Sequence, residues 1–453
     1  MVSDTSESQQ PIASTSPLLV IVGAGPKAAA IAAKAQVLKE LKEQGKLEIG
    51  EVRIIVIDRN KVAANWRGQA GFTDGEGELG TPPEKDIGYP YNSEYGSAVD
   101  LAMLRYSWQA HKIQLSKTAY SNWIDRGRWP PKHAEWAHYL ETALEDASPQ
   151  EIIREATVTS VEPAGGKLIV TAQHRTTARV IEADGVVFTG PGEPIKIKGE
   201  PSGSTNRILD GRNYWTSIPL FKEMRRGKVA LIGGGETAAS IALSLLERAP
   251  VLDIDIINRH GSIYTRGESF RENKQFSNPG EWLGMEEVNR LEFIQRTDRG
   301  VFSVAAQRQL DQAEKVDFIS GEVSALEEAG DKIIVRLERG DPPREFEYEY
   351  DRVIVALGFD PFCMLKMIPE RFRPKAETPD EQREIQRNID EYLRLPFDTV
   401  PELAGTPPNI HVPMLAGLRQ GPGFPNLSCL GHLSDRILSL YVGKSPQRSK
   451  SGT

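Results

Sequence analysis

The chain has 453 residues and a formal net charge of −8, with 55 Lys and Arg against 63 Asp and Glu. At 39% hydrophobic and 26% charged residues it has the balance of a soluble protein long enough for more than one core, and the acidic excess argues against a general nucleic-acid binder, which carries a basic face. Its two cysteines, Cys363 and Cys429, are too few and too far apart for a disulfide framework, a cysteine-rich zinc module or a dithiol redox centre, and no metal is expected.

Residues 1–16 are polar and Ser/Thr-rich and lack the basic start and apolar core of a signal peptide, so they read as a disordered lead-in. No run approaches the ~18 apolar residues needed to cross a bilayer, and the expected setting is a soluble, cytoplasmic protein. Leu18-Leu-Val-Ile-Val22 predicts a buried strand. It runs into Gly23-Ala-Gly25-Pro26-Lys27-Ala28, an alanine-rich helix, and a second strand, Val52–Ile57, that ends in Asp58. A Gly/Pro-rich loop over 66–97, a helix ending near Leu144 and β-like segments over 157–190 follow.

A second βαβ unit then appears: Lys228–Ile232, Gly233-Gly-Gly235-Glu236-Thr237-Ala238, a helix through Leu246, and the strand Ile254–Ile257 leading to Asn258-Arg259. Hairpin strands at Lys332–Leu337 and Phe346–Tyr350 lead into Val353–Asp360, where a strand gives way to Ala356-Leu-Gly358. The stretch 373–408 predicts a surface helix with loops; a Gly/Pro loop at Gln420–Pro425 and a short helix from Ser434 follow, and 446–453 form a loose tail.

Two such units predict an α/β fold of two Rossmann-like dinucleotide-binding domains, the second inserted in the first. The expected boundaries are 17–215 with 355–445 for an FAD domain and 216–354 for an NADPH domain. In a strand–GxGxx(G/A)–helix turn the first glycine makes the turn and the second lets backbone approach a diphosphate, which then faces the helix N-terminus. Gly23, Gly25, Pro26, Ala28 and Asp58 supply this for FAD, Asp58 being placed to hold ribose hydroxyls. Gly233, Gly235, Glu236 and Thr237 supply it for the nicotinamide cofactor. There the second strand leads to Arg259 in place of an acid; an arginine pairs with a 2′-phosphate, which favours NADPH over NADH, and Arg266 is a second candidate. Gly358 marks a third place where backbone can approach a cofactor. Paired nucleotide sites without redox cysteines indicate a flavoprotein reductase or monooxygenase.

Over most of residues 17–445 the chain resembles the N-hydroxylating flavin monooxygenases, the class that includes ornithine and lysine N-hydroxylases of siderophore pathways. The resemblance is carried by Gly431-His-Leu-Ser-Asp-Arg-Ile-Leu-Ser439, close to the family's HGLSDxLLS; by Ala356-Leu-Gly-Phe359 in place of ATGY; by Trp66-Arg67 with Lys85-Asp86; and by Phe270-Arg-Glu-Asn273. It implies that FAD is reduced by NADPH, that O2 adds to form a C4a-hydroperoxyflavin, and that a small amine or amino acid takes the distal oxygen on nitrogen.

It further implies that Lys85, Asn273, Asp298 and Ser434 face substrate, that Trp66 and Leu433 flank the flavin, and that the protein is a homo-oligomer, dimer or tetramer. Ser434 is expected to cap its helix. The departures are Arg67 for His, Glu236-Thr237 for Gln-Ser, an acidic glycine-rich loop at 71–80, and Thr297-Asp298-Arg299 where the family tends to have Thr-Asn-Tyr. They leave the substrate open. The alternatives are oxidation of sulfur or a ketone, disfavoured because Leu209–Trp215 lacks histidine, and an NADPH–flavin electron-transfer reductase.

Overall fold

The apolar run Leu18–Val22 (β1) forms the middle of a five-stranded sheet, followed by the helix Pro26–Glu43 (α1) and the strand Arg53–Ile57 (β2). The computed structural model describes residues 16–68, 71–197, 200, 206–398, 400, 402–403 and 407–443. The lead-in expected over 1–16, apart from Ser16, and the tail at 446–453 lie outside them. The strand order is Ile410–His411, Gly185–Phe188, β1, β2, Glu151–Ile153, and every pairing is parallel. Leu19, Val20 and Ile21 have no exposure, as a strand between two parallel neighbours under helices requires.

The second unit repeats the plan with Gly227–Ile232 (β3), Glu236–Arg248 (α2) and Leu252–Asn258 (β4). Its order is Val316–Ser320, β4, β3, Arg352–Val355, Ile208–Asp210, again parallel throughout. In each unit a three-stranded antiparallel sheet returns the chain to the strand beside β1 or β3. It comprises Thr157–Ala164, Lys167–His174 and Thr177–Ala183 in the first, and Glu322–Ala329, Lys332–Arg339 and Arg344–Tyr350 in the second. The sequence boundary at 215/216 is corrected by one strand. Ile208–Asp210 pairs with Arg352–Val355 and so completes the second sheet; three residues are too few to show which sheet they join.

Among its described residues the polar stretch 373–408 holds one α-helix, Pro379–Arg387, opened by a Thr378–Glu381 capping box. Among the described residues no helix is long and apolar enough to cross a membrane.

The helix Leu430–Val442 (α4) packs on α1. It begins at Leu430 with Cys429 as its N-cap, four residues earlier than Ser434 suggested, since Ser434-Asp435 mimics a capped helix start. Ser434 lies inside the helix, fully buried, and its hydroxyl donates back to the Leu430 carbonyl at 2.8 Å. It therefore caps nothing. Next to it Asp435, also fully buried, accepts from Lys34 Nζ of α1 at 2.6 Å, from Ser93 Oγ at 2.9 Å and from the Glu94 amide at 3.1 Å. One carboxylate thus joins α4, α1 and the loop before Ser97.

Removing one member of such a pair leaves a buried charge without a partner, which costs about 3–5 kcal/mol. Lys34→Met and Asp435→Leu are each expected to lower the unfolding free energy, measured by chemical denaturation, by that much. The double variant is expected to recover most of the loss, because it buries no lone charge.

Candidate cofactor and substrate site

Both central strands end in glycines with left-handed backbone. At Gly23 φ is +103°, and a Cβ there would lie 2.2 Å from Thr189 Oγ1; that hydroxyl is fixed by donation to Val22 O at 2.9 Å. At Gly233 φ is +147°, and a Cβ would lie 2.3 Å from the Ala356 carbonyl. The second glycines differ. Gly25 has extended backbone (φ −99°), which any residue adopts, and a Cβ there would meet no protein atom within 4 Å. Nothing in the protein requires glycine at 25, so the space beside it fits an outside group that approaches the backbone closely.

The start of α1 agrees with this. Gly25 is its N-cap, with no side-chain cap and no acidic residue in the first turn, so its leading N–H groups are free to face an anion. Pro26 sits at the first helical positions, and Ala28 is fully buried against the sheet. Asp58, at the end of β2, accepts from the Ala24 and Asn60 amides at 2.7 Å each, and burial raises its pKa. It lines a cavity of about 150 Å³ with Gly23, Asn60, Thr189, Gly190 and Met364. A carboxylate fixed by two backbone amides, beside a glycine turn and an apolar wall, fits the ribose and base of a dinucleotide.

In the second unit α2 also starts on an uncapped glycine, Gly235. Glu236 in its first turn is turned aside: its carboxylate lies 3.2 Å from Arg266 Nη2, and burial raises its pKa. Thr237 packs its methyl beside Gly211. Arg259 is exposed just beyond β4, its Nε 3.3 Å from His260 Nε2. Arg266, the other candidate cation, donates to Gly80 O at 3.2 Å and so faces the first unit.

Of the residues expected at the substrate, Lys85 and Asn273 meet where the units face each other, whereas Ser434 is buried inside α4 with its hydroxyl bonded to Leu430 O. Lys85 Nζ donates to Asn273 Oδ1 at 2.8 Å across 188 residues of chain. Asn273 lies on the helix Phe270–Ser277 (α3), whose start is fixed by a Ser269–Glu272 capping box. Its amide also donates to Glu268 O at 2.9 Å. Burial, and secondarily the nearby Arg266 cation, lower the Lys85 pKa. Asp298 accepts from Asn426 at 3.4 Å and lies 3.4 Å from Arg299. Leu433 is fully buried within α4, and Gly358 (φ +90°) has open space at its Cβ. Trp66 sets its ring edge-on to His133 at 5.1 Å, half-buried on the first core.

The acidic loop at 71–80 acquires a role that composition did not reveal, since part of its contacts come from the other unit. Asp74 pairs with Arg248 of α2 and Gly80 O takes Arg266, while the Phe72 ring meets Phe359 of its own unit at 4.5 Å. Sequence reasoning also gave no role to Asp86. Its buried carboxylate accepts from Tyr91 Oη at 2.8 Å and from the Trp108 and Gly88 amides at 2.9 and 3.0 Å, while burial pushes its pKa up to about 6. It orders the loop that carries Lys85. Only its neighbour in sequence signalled it.

Two parallel nucleotide-binding sheets, one inserted in the other, with glycine turns fitted to diphosphates, define a flavoprotein with two dinucleotide sites. Residues 115–361 match the family model described as L-lysine 6-monooxygenase/L-ornithine 5-monooxygenase. The L-lysine N6-monooxygenase MbtG of Mycobacterium sp. (strain MCS) is 36% identical over 437 residues, 94% of this chain and 95% of that protein. Lysine monooxygenase NbtG from Nocardia farcinica superposes with a TM-score of 0.76 at 33% identity, covering 93% of this chain and 99% of that one. The ornithine N-hydroxylase KtzI of Kutzneria sp. 744 shares the fold, with a TM-score of 0.73 at 16% identity over 94% and 99% of the two chains. The chain belongs to the L-lysine 6-monooxygenase/L-ornithine 5-monooxygenase family. It is an FAD- and NADPH-dependent monooxygenase that hydroxylates the nitrogen of a small amine or amino acid.

Because a methyl at residue 25 meets no protein atom, Gly25→Ala is expected to leave the melting temperature of the FAD-free protein within about 1 °C of the parent, as substitutions away from packed groups do. Its FAD affinity, measured by fluorescence titration, is expected to fall about tenfold or more, since the methyl occupies the diphosphate's place.

Proposed function

We propose that this enzyme hydroxylates the terminal amine of a free amino acid, L-lysine in the first instance, and that Lys85 and Asn273 hold the substrate's carboxylate end. The observation that carries this is their 2.8 Å hydrogen bond at the seam of the two units, in a setting where Arg266 adds positive charge. An ammonium and an amide in contact, with a second cation nearby, suit a carboxylate better than a bare diamine. The relatives named as L-lysine N6-monooxygenases support the same reading. In it the first unit, with Gly23, Gly25 and Asp58, holds FAD. The second unit, with Gly233, Gly235 and Arg259, holds NADPH.

The bound flavin, reduced by NADPH, supplies the oxygen-activating chemistry. The chain's own residues bind and orient: the open N-terminus of α1 takes the diphosphate, and Lys85 and Asn273 fix one end of the substrate. The homo-oligomer implied by the resemblance is part of the same reading, and sedimentation of the holoprotein tests it.

Hydroxylamine formation is compared for L-lysine, L-ornithine and cadaverine, which is lysine without its carboxylate. L-Lysine is expected to be the best of the three. Lys85→Met is expected to raise KM for L-lysine about tenfold or more, the worth of ~1.4 kcal/mol of lost binding, and to leave cadaverine unaffected. Preference for cadaverine, or equal losses with both, would sink the reading. Arg259→Gln is expected to raise KM for NADPH about tenfold at unchanged kcat, the mark of lost uniform binding. Its KM for NADH is expected to stay the same.

A further inference from the structure

Helix α1 buries two lysines on one face, about two turns apart, and provides for them differently. Lys34, 1% exposed, is neutralised by Asp435. Lys27, 8% exposed, has no such partner. Among the described residues its Nζ has one hydrogen-bond acceptor, the Pro425 carbonyl at 2.8 Å, and no carboxylate within ion-pair distance. The titratable groups that act on it are the Cys429 thiol, which burial pushes up to about 12 and so keeps neutral, and the Arg299 guanidinium, which opposes its charge. Burial lowers its own pKa to about 8, so at neutral pH it is still mostly an ammonium. A buried cation with no anion is strongly disfavoured, and an anion supplied by a ligand removes the penalty.

Its position selects the ligand group. The diphosphate belongs at the turn that opens α1, and the cavity beside Asp58, on the adenosine side, has no wall from Lys27. Lys27 instead reaches the loop that leads into α4. Cys429, the N-cap of α4, feels both Lys27 and Lys85. Pro425, which accepts from Lys27, adjoins Asn426, whose side chain donates to Asp298 of the second unit at 3.4 Å; the ammonium therefore lies beside the loop that runs from the diphosphate turn toward the second unit, the side on which a flavin ring must meet a substrate held by Lys85 and Asn273.

We propose that Lys27 is the counter-charge for the reduced flavin ring, an inference that rests on the first unit being the FAD site. Hydride transfer breaks the nicotinamide C4–H bond, forms N5–H on the flavin and leaves NADP+. The ring gains two electrons and one proton and so carries one net negative charge. Lys27 keeps its proton and neutralises that charge.

The test is the flavin midpoint potential of Lys27→Met holoenzyme, by reductive titration against a reference dye, together with the affinity of the FAD-free protein for oxidised FAD. The relative affinity for reduced over oxidised FAD is expected to fall about tenfold, a potential lowered by about 30 mV for a two-electron couple. Lys27→Arg is expected to restore it, with oxidised FAD bound as in the parent. An unchanged potential overturns the proposal, whether FAD binds normally (a loop tether only) or equally weakly in both oxidation states (a diphosphate ligand).

The parent enzyme gives a second measurement should the methionine variant lose FAD. The negative ring raises the Lys27 pKa above the value of about 8 that burial gives it in the FAD-free chain, so reduction above that pH draws one more proton. The protons taken up per two electrons are expected to rise from one to two as pH passes about 8, and a constant value of one from about pH 7 to 9.5 overturns the proposal. Failure of the FAD assignment itself is distinguishable, because Gly25→Ala would then keep its FAD.

Discussion

No side chain fits at the exits of the two central strands, and the rest of the architecture follows from that exclusion. Gly23 and Gly233 bring their backbones against Thr189 and Ala356 of the neighbouring strand, closer than any Cβ permits. The turn that results directs α1 or α2 back over its sheet with its first N–H groups uncovered. A helix N-terminus without a capping side chain presents N–H groups and a partial positive charge that favour an anion. The same device built twice yields two diphosphate sites facing a shared seam.

Polar contacts cross that seam. Asp74 with Arg248, Gly80 with Arg266, and Lys85 with Asn273 all run from the first unit to the second, and the buried Trp282 ring adds an apolar contact, its Nε1 donating to Leu418 O at 3.0 Å. Partly exposed polar contacts contribute little stability each. A site that must admit a nicotinamide, then a substrate, gains from a boundary of this kind. Within the first unit the opposite holds. Lys34–Asp435 and Asp86 are sealed, and between them they fix α1, α4 and the loop leading to Lys85 in one arrangement.

The two buried lysines of α1 show how far side-chain identity alone leads. Both stand on an alanine-rich helix where a lysine would ordinarily be solvated. Burial converts one into a structural tie, because α4 brings Asp435 to it. The other is left with a carbonyl and an opposing cation. The difference lies in what the distant C-terminal segment offers each of them.

The sequence by itself determined the two βαβ units, their glycines, the acid at 58 against the arginine at 259, and the family to which the chain belongs. These are local: a strand, a turn and a helix start lie within a few residues, and the steric demand on a glycine acts between adjacent atoms. It misplaced the start of α4, because Ser434 resembles a cap until its hydroxyl is seen bonded inside a helix. It drew the domain boundary at 215/216, beyond Ile208–Asp210, which pairs into the second sheet, because so short a strand carries no pattern of its own. Only the tertiary structure decided which charges are buried and with whom. Lys85 met Asn273, the loop at 71–80 met α2, and Lys27 was left without an anion. Such pairings join residues far apart in sequence, and their energy comes from exclusion of water, which exists only once the chain has folded.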